Sequence, residues 1–305
     1  MQIDFTHCPG GTADSDELHP SFFSDTALAV QRLRLLENAG FRRVMIDDMG
    51  GLLVNMDLAS LALRATHSLG ILVSHWPGIV APVVAARQFA TLAQLGQGRL
   101  SLRVPASRGL REAPDGLGLA GGLGRTDEYL VLLRRLWSNA RPFDHEGAFY
   151  RVHAGYVPLK PAEGVDIPIQ NGGLSGTALK VASKHADLFE LPAGGFEETR
   201  QLMERVKVAA QPFGRATRIR FSLPVHAGEG DGEWNLGASP GTAVARLVAY
   251  AEIGVTDFLV HGLEDGDAIE SFGRQVIPQV QRAVRRYDPT PIVRRGSHGQ
   301  LRRVV

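Results

Sequence analysis

Short β-branched apolar runs alternate with amphipathic helical stretches along most of the chain. This alternation constrains the fold more than any single motif, because it calls for parallel strands with helices packed outside them. Eight strand-like runs can be placed: Gln2–His7, Arg43–Asp47, Gly70–His75, Leu100–Val104, Ile167–Asn171, Asp187–Leu191, Ile219–Val225 and Asp257–His261. Between them lie helical stretches such as Ser24–Ala39, Val83–Leu95, Thr126–Trp137, Thr177–His185 and Thr242–Ile253. Glycines mark several helix ends: Gly40, Gly96 with Gly98, and Gly254 suit the left-handed cap that a Cβ disfavours. Eight strands with seven or eight helices in about 280 residues predict an α/β fold, a closed (β/α)8 barrel. A doubly wound open sheet competes, but it calls for a Gly-rich nucleotide turn after the first strand. Cys8-Pro9-Gly10-Gly11 lacks the G-x-G-x-x-G spacing.

Two regions interrupt the alternation. Residues 105–124 hold six Gly and two Pro, which predicts a long loop over the fourth strand. Residues 139–166 read as an excursion with a short hairpin around Phe149–Val152. The expected organisation is one barrel over residues 1–286, followed by a flexible, Arg-bearing tail over 287–305. The 305 residues carry a net charge of +1, which gives no electrostatic pointer to nucleic acid or anionic lipid. Cys8 is the single cysteine, so an intrachain disulfide and a multi-cysteine metal site are excluded. No run of about 18 apolar residues and no charged-then-apolar leader is present, and a cytoplasmic address is expected.

In such barrels the reactive groups lie where strands end, at the C-terminal mouth. Those positions hold His7 and Cys8, Asp47 and Asp48, Ser74-His75-Trp76, Arg103, Asn171, Glu190, His226 and His261. The clearest local signal is Asn171-Gly172-Gly173-Leu174-Ser175-Gly176-Thr177, between a strand and a helix. Glycines let the backbone approach an anion, and free N–H groups at a helix start attract phosphate. A tight turn with Ser175 as an ordinary N-cap explains the same residues equally well. His75-Trp76 at a strand end suits a flat heteroaromatic ring, or a packed turn covering the rim. His7, His75, His226 and His261 converging on a metal is a weaker reading, since neither H-x-H nor H-E-x-x-H occurs. A G-x-S-x-G elbow is absent too.

The segment GILVSHWPGIVAPVVAARQFATLAQLGQGRL (Gly70–Leu100) resembles luciferase-like flavin monooxygenases, especially the alkanesulfonate monooxygenase branch. Further pieces follow in that branch's order: RTDEYLVLLRRLW (Arg125–Trp137), PFDHEGAFYRV (Pro142–Val152), IPIQNGG with Ser175, and GTAVARLVAYAEIGVTDFLVHG (Gly241–Gly262). Thr6-His7 is similar to the branch's first-strand end. The resemblance implies reduced FMN supplied by a separate flavin reductase, molecular oxygen as co-substrate, and insertion of one oxygen atom into a small organic molecule. It places the flavin phosphate at the turn Gly172–Ser175, and with the neighbouring Asn171 and Thr177 the expected phosphate set is Asn171, Gly172, Gly173, Ser175 and Thr177. The ring falls near Ser74, His75 and Trp76, where a cis peptide is often found, and pairing as a homodimer is common.

The same resemblance exposes departures. A cysteine of the sulfonate branch corresponds to Leu52, an Arg and a His on the seventh strand to Ser222 and Pro224, and a Tyr after the eighth strand to Leu263. An Asn ending the fourth strand corresponds to Arg103 and a further Tyr to Leu123, while the insertion after the seventh strand shrinks to Gly228–Pro240. Arg103 and His226 are the candidates to replace the lost clamp, which with His7 and His75 completes the expected catalytic set. Two other classes stay open beside the monooxygenase: a flavin-binding homologue or partner subunit with little catalysis, and a deazaflavin-dependent oxidoreductase on the same barrel.

Overall fold

The computed structural model describes residues 1–10, 23, 25–47, 55–105, 119–161 and 166–287. Eight parallel strands close into a barrel: β1 (Asp4–His7), β2 (Arg43–Ile46), β3 (Gly70–Ser74), β4 (Leu100–Val104), β7 (Ile169–Gly172), β8 (Leu188–Glu190), β9 (Arg220–His226) and β10 (Asp257–His261). The strand order is β1-β10-β9-β8-β7-β4-β3-β2, so β1 pairs with both β2 and β10 and no edge is left open. The excursion after the fourth barrel strand is an antiparallel hairpin of β5 (Phe143–Glu146) and β6 (Arg151–Gly155).

Helices α1 (Thr26–Asn38), α2 (Asn55–Ala65), α3 (Pro82–Gly96), α4 (Leu119–Ser138), α5 (Gly176–His185), α6 (Phe196–Ala210), α7 (Pro240–Glu252), α8 (Gly266–Gln275) and α9 (Ile277–Tyr287) pack outside the barrel. Each strand turns alternate residues outward and inward. Phe5, Val44, Ile71, Leu102, Ile169, Phe189, Phe221 and Phe258 join the helices in one large core. Inside the barrel Cys8, Met45, Leu72 and Leu259 form a separate apolar layer. Below that layer Arg43 pairs with Asp257, and its Nε donates to Thr6 Oγ1 at 3.2 Å. Thr6 in turn donates to Asp257 Oδ1 at 3.1 Å, so the charged floor is cross-bonded.

Two local expectations need correction. The glycine-rich stretch 105–124 is not a loop throughout, because α4 already starts at Leu119. Gly124 sits inside that helix because a Cβ there would lie 3.1 Å from the Phe149 ring of the hairpin. Gly96 is not the left-handed cap of α3; Gln97 takes that role at φ 47°. Gly96 instead allows α3 to approach Leu63 of α2, whose Cδ2 would lie 3.1 Å from an added Cβ. Gly40, Gly98 and Gly254 do take positive φ, at 87°, 88° and 110°. Asp48, Leu52 and the chain beyond Tyr287 lie outside the described residues. No described helix is long and apolar enough to cross a membrane.

Candidate active site

The lumen-facing ends of β2, β3, β4, β7 and β8 meet in one polar cluster above the apolar layer. Arg103 donates from Nε to Glu190 Oε2 at 2.8 Å and from Nη2 to Glu190 Oε1 at 2.7 Å. Such a fork-on-fork pair fixes both side chains as well as attracting them. Gln170 Nε2 adds a bond to Glu190 Oε2 at 2.9 Å. On the other side Arg103 Nη1 lies 3.4 Å from Ser74 Oγ and 3.5 Å from Asp47 Oδ2. Strand register explains the meeting: Ser74 pairs with Arg103, Arg103 with Gln170, and Gly172 with Glu190.

Burial works against the charges on this pair, and the pair overcomes it. For Arg103 desolvation pulls toward the neutral form, but Glu190's charge and hydrogen bonds, then Asp47, hold the guanidinium above its ordinary pKa. Glu190 likewise feels burial first, yet Arg103's charge and bonds and the Gln170 bond keep its carboxyl below the usual carboxylate range.

Across the mouth His226 and His261 are register partners on β9 and β10. Gly262 stands at φ 81°, and an added Cβ there would come 2.7 Å from His226 Nε2. Gly228 closes the other side of the same ring. The His261 ring bonds the backbone of Gly10, and burial, its largest influence, lowers its pKa to about 4. Nδ1 of both imidazoles has no hydrogen-bond partner among the described residues.

His7 and His75 lie elsewhere. Inward-facing Thr6 and Ser74 precede them, so strand alternation turns both rings into the helical layer. His7 is fully buried, edge-on to Phe41 at 5.6 Å, with Nε2 2.9 Å from the Leu263 carbonyl. His75 shares a 2.7 Å hydrogen bond with the Tyr129 hydroxyl and stands edge-on to Phe89 at 5.0 Å. Burial lowers the pKa of each to about 4. Trp76 is half-buried at the rim. No cis peptide occurs among the described residues, so the bond between Ser74 and His75 is trans.

The turn after β7 is built around close backbone approach. A Cβ at Gly172 would collide with the Glu190 carbonyl oxygen, and Gly173 takes φ 127°. Asn171 is buried, its Nδ2 donating to the Val104 carbonyl at 2.6 Å, which ties β7 to β4. Ser175 caps α5 by accepting from Ala178 N–H at 3.2 Å. Ser175, Gly176 and Thr177 are exposed, and a Cβ on Gly176 would meet nothing within 4 Å. The first-turn N–H groups of Gly176 and Thr177 are therefore open to an anion.

Of the residues singled out in the sequence, Ser74 and Arg103 come together, and His226 stands opposite them. Sequence reasoning noted Glu190 and His261 as strand ends without selecting them, and it passed over Gln170 altogether. Gln170 lies two residues before Gly172, on the same inward face of β7. Among the described residues no group of three His, Cys, Asp or Glu is disposed to hold a metal.

Comparison with known proteins accords with this geometry. The chain is 24% identical, over an alignment of 287 residues, to an FMNH2-dependent dimethylsulfone monooxygenase of Pseudomonas putida, with 74% of this chain and 78% of that protein covered. It is 26% identical over 254 residues to an F420-dependent glucose-6-phosphate dehydrogenase of Intrasporangium calvum, covering 65% and 75%. The solved structure of a long-chain alkane monooxygenase superposes with a TM-score of 0.79 at 15% identity, covering 93% of this chain and 92% of that one. The model of the luciferase-like monooxygenases matches residues 6–235, three-quarters of the chain. A closed barrel with a polar mouth and an open helix-capping turn after β7 is thus carried by an enzyme of the luciferase-like monooxygenase family, to which the chain belongs.

Proposed function

We infer that the protein is a two-component monooxygenase that takes reduced FMN from a separate flavin reductase and inserts an oxygen atom from O2 into a small organic substrate. The observation that carries this reading is the turn Gly172–Thr177. Its backbone is pressed against Glu190, and its first-turn N–H groups at Gly176 and Thr177 are open and exposed. That donor set suits a phosphate, and the polar mouth beside it suits a ring with hydrogen-bonding edges. The likeness to an FMNH2-dependent monooxygenase supports the cofactor. When bound, the reduced flavin would supply the electrons that activate oxygen.

The chain's own residues do the rest. Gly172, Gly173, Ser175 and Thr177 hold the phosphate, and buried Asn171 fixes the strand beneath them. Ser74 and Trp76 border the ring, and His75 holds that strand end through Tyr129. Arg103, fixed by Glu190, orients polar atoms at the mouth. His226, with His261 beside it, moves a proton at an imidazole nitrogen. His7 positions the β1 end through the Leu263 carbonyl. The apolar layer below excludes water. A single barrel over 1–286 and a cytoplasmic homodimer complete the reading.

A deazaflavin-dependent oxidoreductase is the second reading, favoured by the likeness to an F420-dependent dehydrogenase. Anaerobic titration with reduced FMN and with reduced F420, followed by tryptophan quenching, separates the two. Saturable FMN binding, clearly weakened in a Ser175→Ala, Thr177→Ala double variant, is expected. Binding of F420 alone would replace the monooxygenase with the second reading.

A further inference from the structure

The turn after β3, residues 75–80, stands at the rim of the mouth and carries half-buried Trp76 and exposed Ile79. Its near end is fixed twice. Asn55 Nδ2 donates to the Ser74 carbonyl at 2.7 Å, and His75 N–H donates to the Arg103 carbonyl at 2.8 Å. Within the turn the bond from Ile79 N–H to the Trp76 carbonyl is long, at 3.4 Å, and Gly78 takes φ 103°. The far end, at Val80, is held from outside. Tyr129 lies on the face of α4 that covers the turn, four residues after Arg125, whose Nη1 would lie 3.0 Å from a Cβ on Gly78. The Tyr129 hydroxyl is 2.7 Å from His75 Nε2 and donates to the Val80 carbonyl at 3.2 Å. A phenol has one proton to give. With that proton on Val80, the oxygen must accept from His75, which puts the imidazole proton on Nε2. One hydroxyl of a fully buried tyrosine thus joins the first and last residues of the turn.

We propose that Tyr129 is a positioning residue whose hydroxyl clamps the turn 75–80 and so fixes how Trp76 borders the cofactor ring. It acts through His75 and Val80 and touches no ligand itself. Its role in binding rests on the function inferred above, which sets the ring beside Trp76; the clamp does not.

Tyr129→Phe keeps the aromatic ring and removes the clamp. Trp137→Phe is the matched control, since it costs one buried bond, from Trp137 Nε1 to the Ala86 carbonyl at 3.1 Å, about two turns along the same helix. Hydrogen exchange at the bonded His75 and Ile79 amides and anaerobic calorimetric titration with reduced FMN are the two readouts. Tyr129→Phe should speed the exchange and raise the reduced-FMN Kd, each by about tenfold, the scale of one buried hydrogen bond. Trp137→Phe should leave both within about twofold whatever it costs in global stability, because such amides exchange by local opening. Changes in Tyr129→Phe no larger than in the control overturn the proposal. Faster exchange with an unchanged Kd overturns it too, because the turn would then be held for stability alone. If Tyr129→Phe does not fold, His75→Phe carries the test: it removes one end of the clamp and should speed Ile79 exchange severalfold, and unchanged exchange overturns the clamp. If the unsubstituted protein binds no reduced FMN, the function inferred above fails and exchange alone decides the clamp.

Discussion

The two ends of the barrel lumen each hold an arginine set against carboxylates, and they differ in what surrounds the charges. At the floor, Arg43 and Asp257 are buried, Thr6 bonds both, and the Cys8–Met45–Leu72–Leu259 layer seals them from above. At the mouth, the side chains of Arg103 and Glu190 keep 17% and 22% of their surface exposed and face two histidines. Similar chemistry therefore serves two ends. A sealed ion pair fixes the barrel's closure, whereas a part-open one orients groups that a ligand can reach.

The largest effect should come from breaking the floor. Arg43→Met leaves Asp257 charged, buried and without its cation, at a cost of about 3–5 kcal/mol. Burial already lowers the Arg43 pKa to about 10, a measure of how little water reaches it. Urea denaturation should show this loss with an unchanged slope. A loss no larger than that of Arg103→Met would erase the contrast between the ends.

Protons sharpen the comparison next. His7, His75 and His261 stand at the mouth ends of their strands and His185 ends α5, and all four are lowered from 6.5 to about 4 with burial the leading cause. Between those values the unfolded chain binds protons that the folded one refuses. Stability therefore falls as pH drops from about 6.5 to about 4 and levels off below. Hydrogen exchange at pH 5 should loosen the mouth half before the floor. His75→Phe should flatten part of the slope, because it removes one of the refused protons. A urea midpoint indifferent to pH across this window would remove burial as the controlling influence.

Breaking the mouth pair should cost less stability and more activity. Arg103→Met frees Glu190, whose carboxyl then rises toward its ordinary range as its main compensating charge is lost. A stability loss of about 1–2 kcal/mol is expected for a pair that water reaches. Turnover should drop by roughly a hundredfold or more, the size of a lost oriented charge. Denaturation and steady-state rates measured on one preparation check both.

The same contrast shows what the sequence could reveal. Leu100–Val104 and Asp257–His261 were legible with their true bounds, because each is a short apolar run with Gly or Pro close to both ends. The mouth was legible as a set of strand ends but not as a cluster. Meeting across the lumen depends on register, which brings Arg103 beside Gln170 and Gly172 beside Glu190. His7 and His75 are conspicuous in the sequence, yet one step along a strand reverses the face a side chain takes. Helix α4 was hidden at its start because Gly121, Gly122 and Gly124 read as loop, while packing against Phe149 needs the small residue.

The smallest effect tests the turn, where a structural and a functional reading share one hydroxyl. Ser175 Oγ accepts from Ala178 N–H, so Ser175→Ala should cost about 1 kcal/mol through loss of the cap alone. Thr177 makes no comparable bond among the described residues and is exposed, so Thr177→Ala should leave stability within about 0.5 kcal/mol. Both should weaken reduced-FMN binding if their hydroxyls face the phosphate. A Thr177→Ala variant with unchanged stability and weakened binding separates ligand contact from capping, which Ser175→Ala cannot do. Unchanged binding in Thr177→Ala, with Ser175→Ala weakened only as far as its stability loss accounts for, would leave the turn a cap and nothing more.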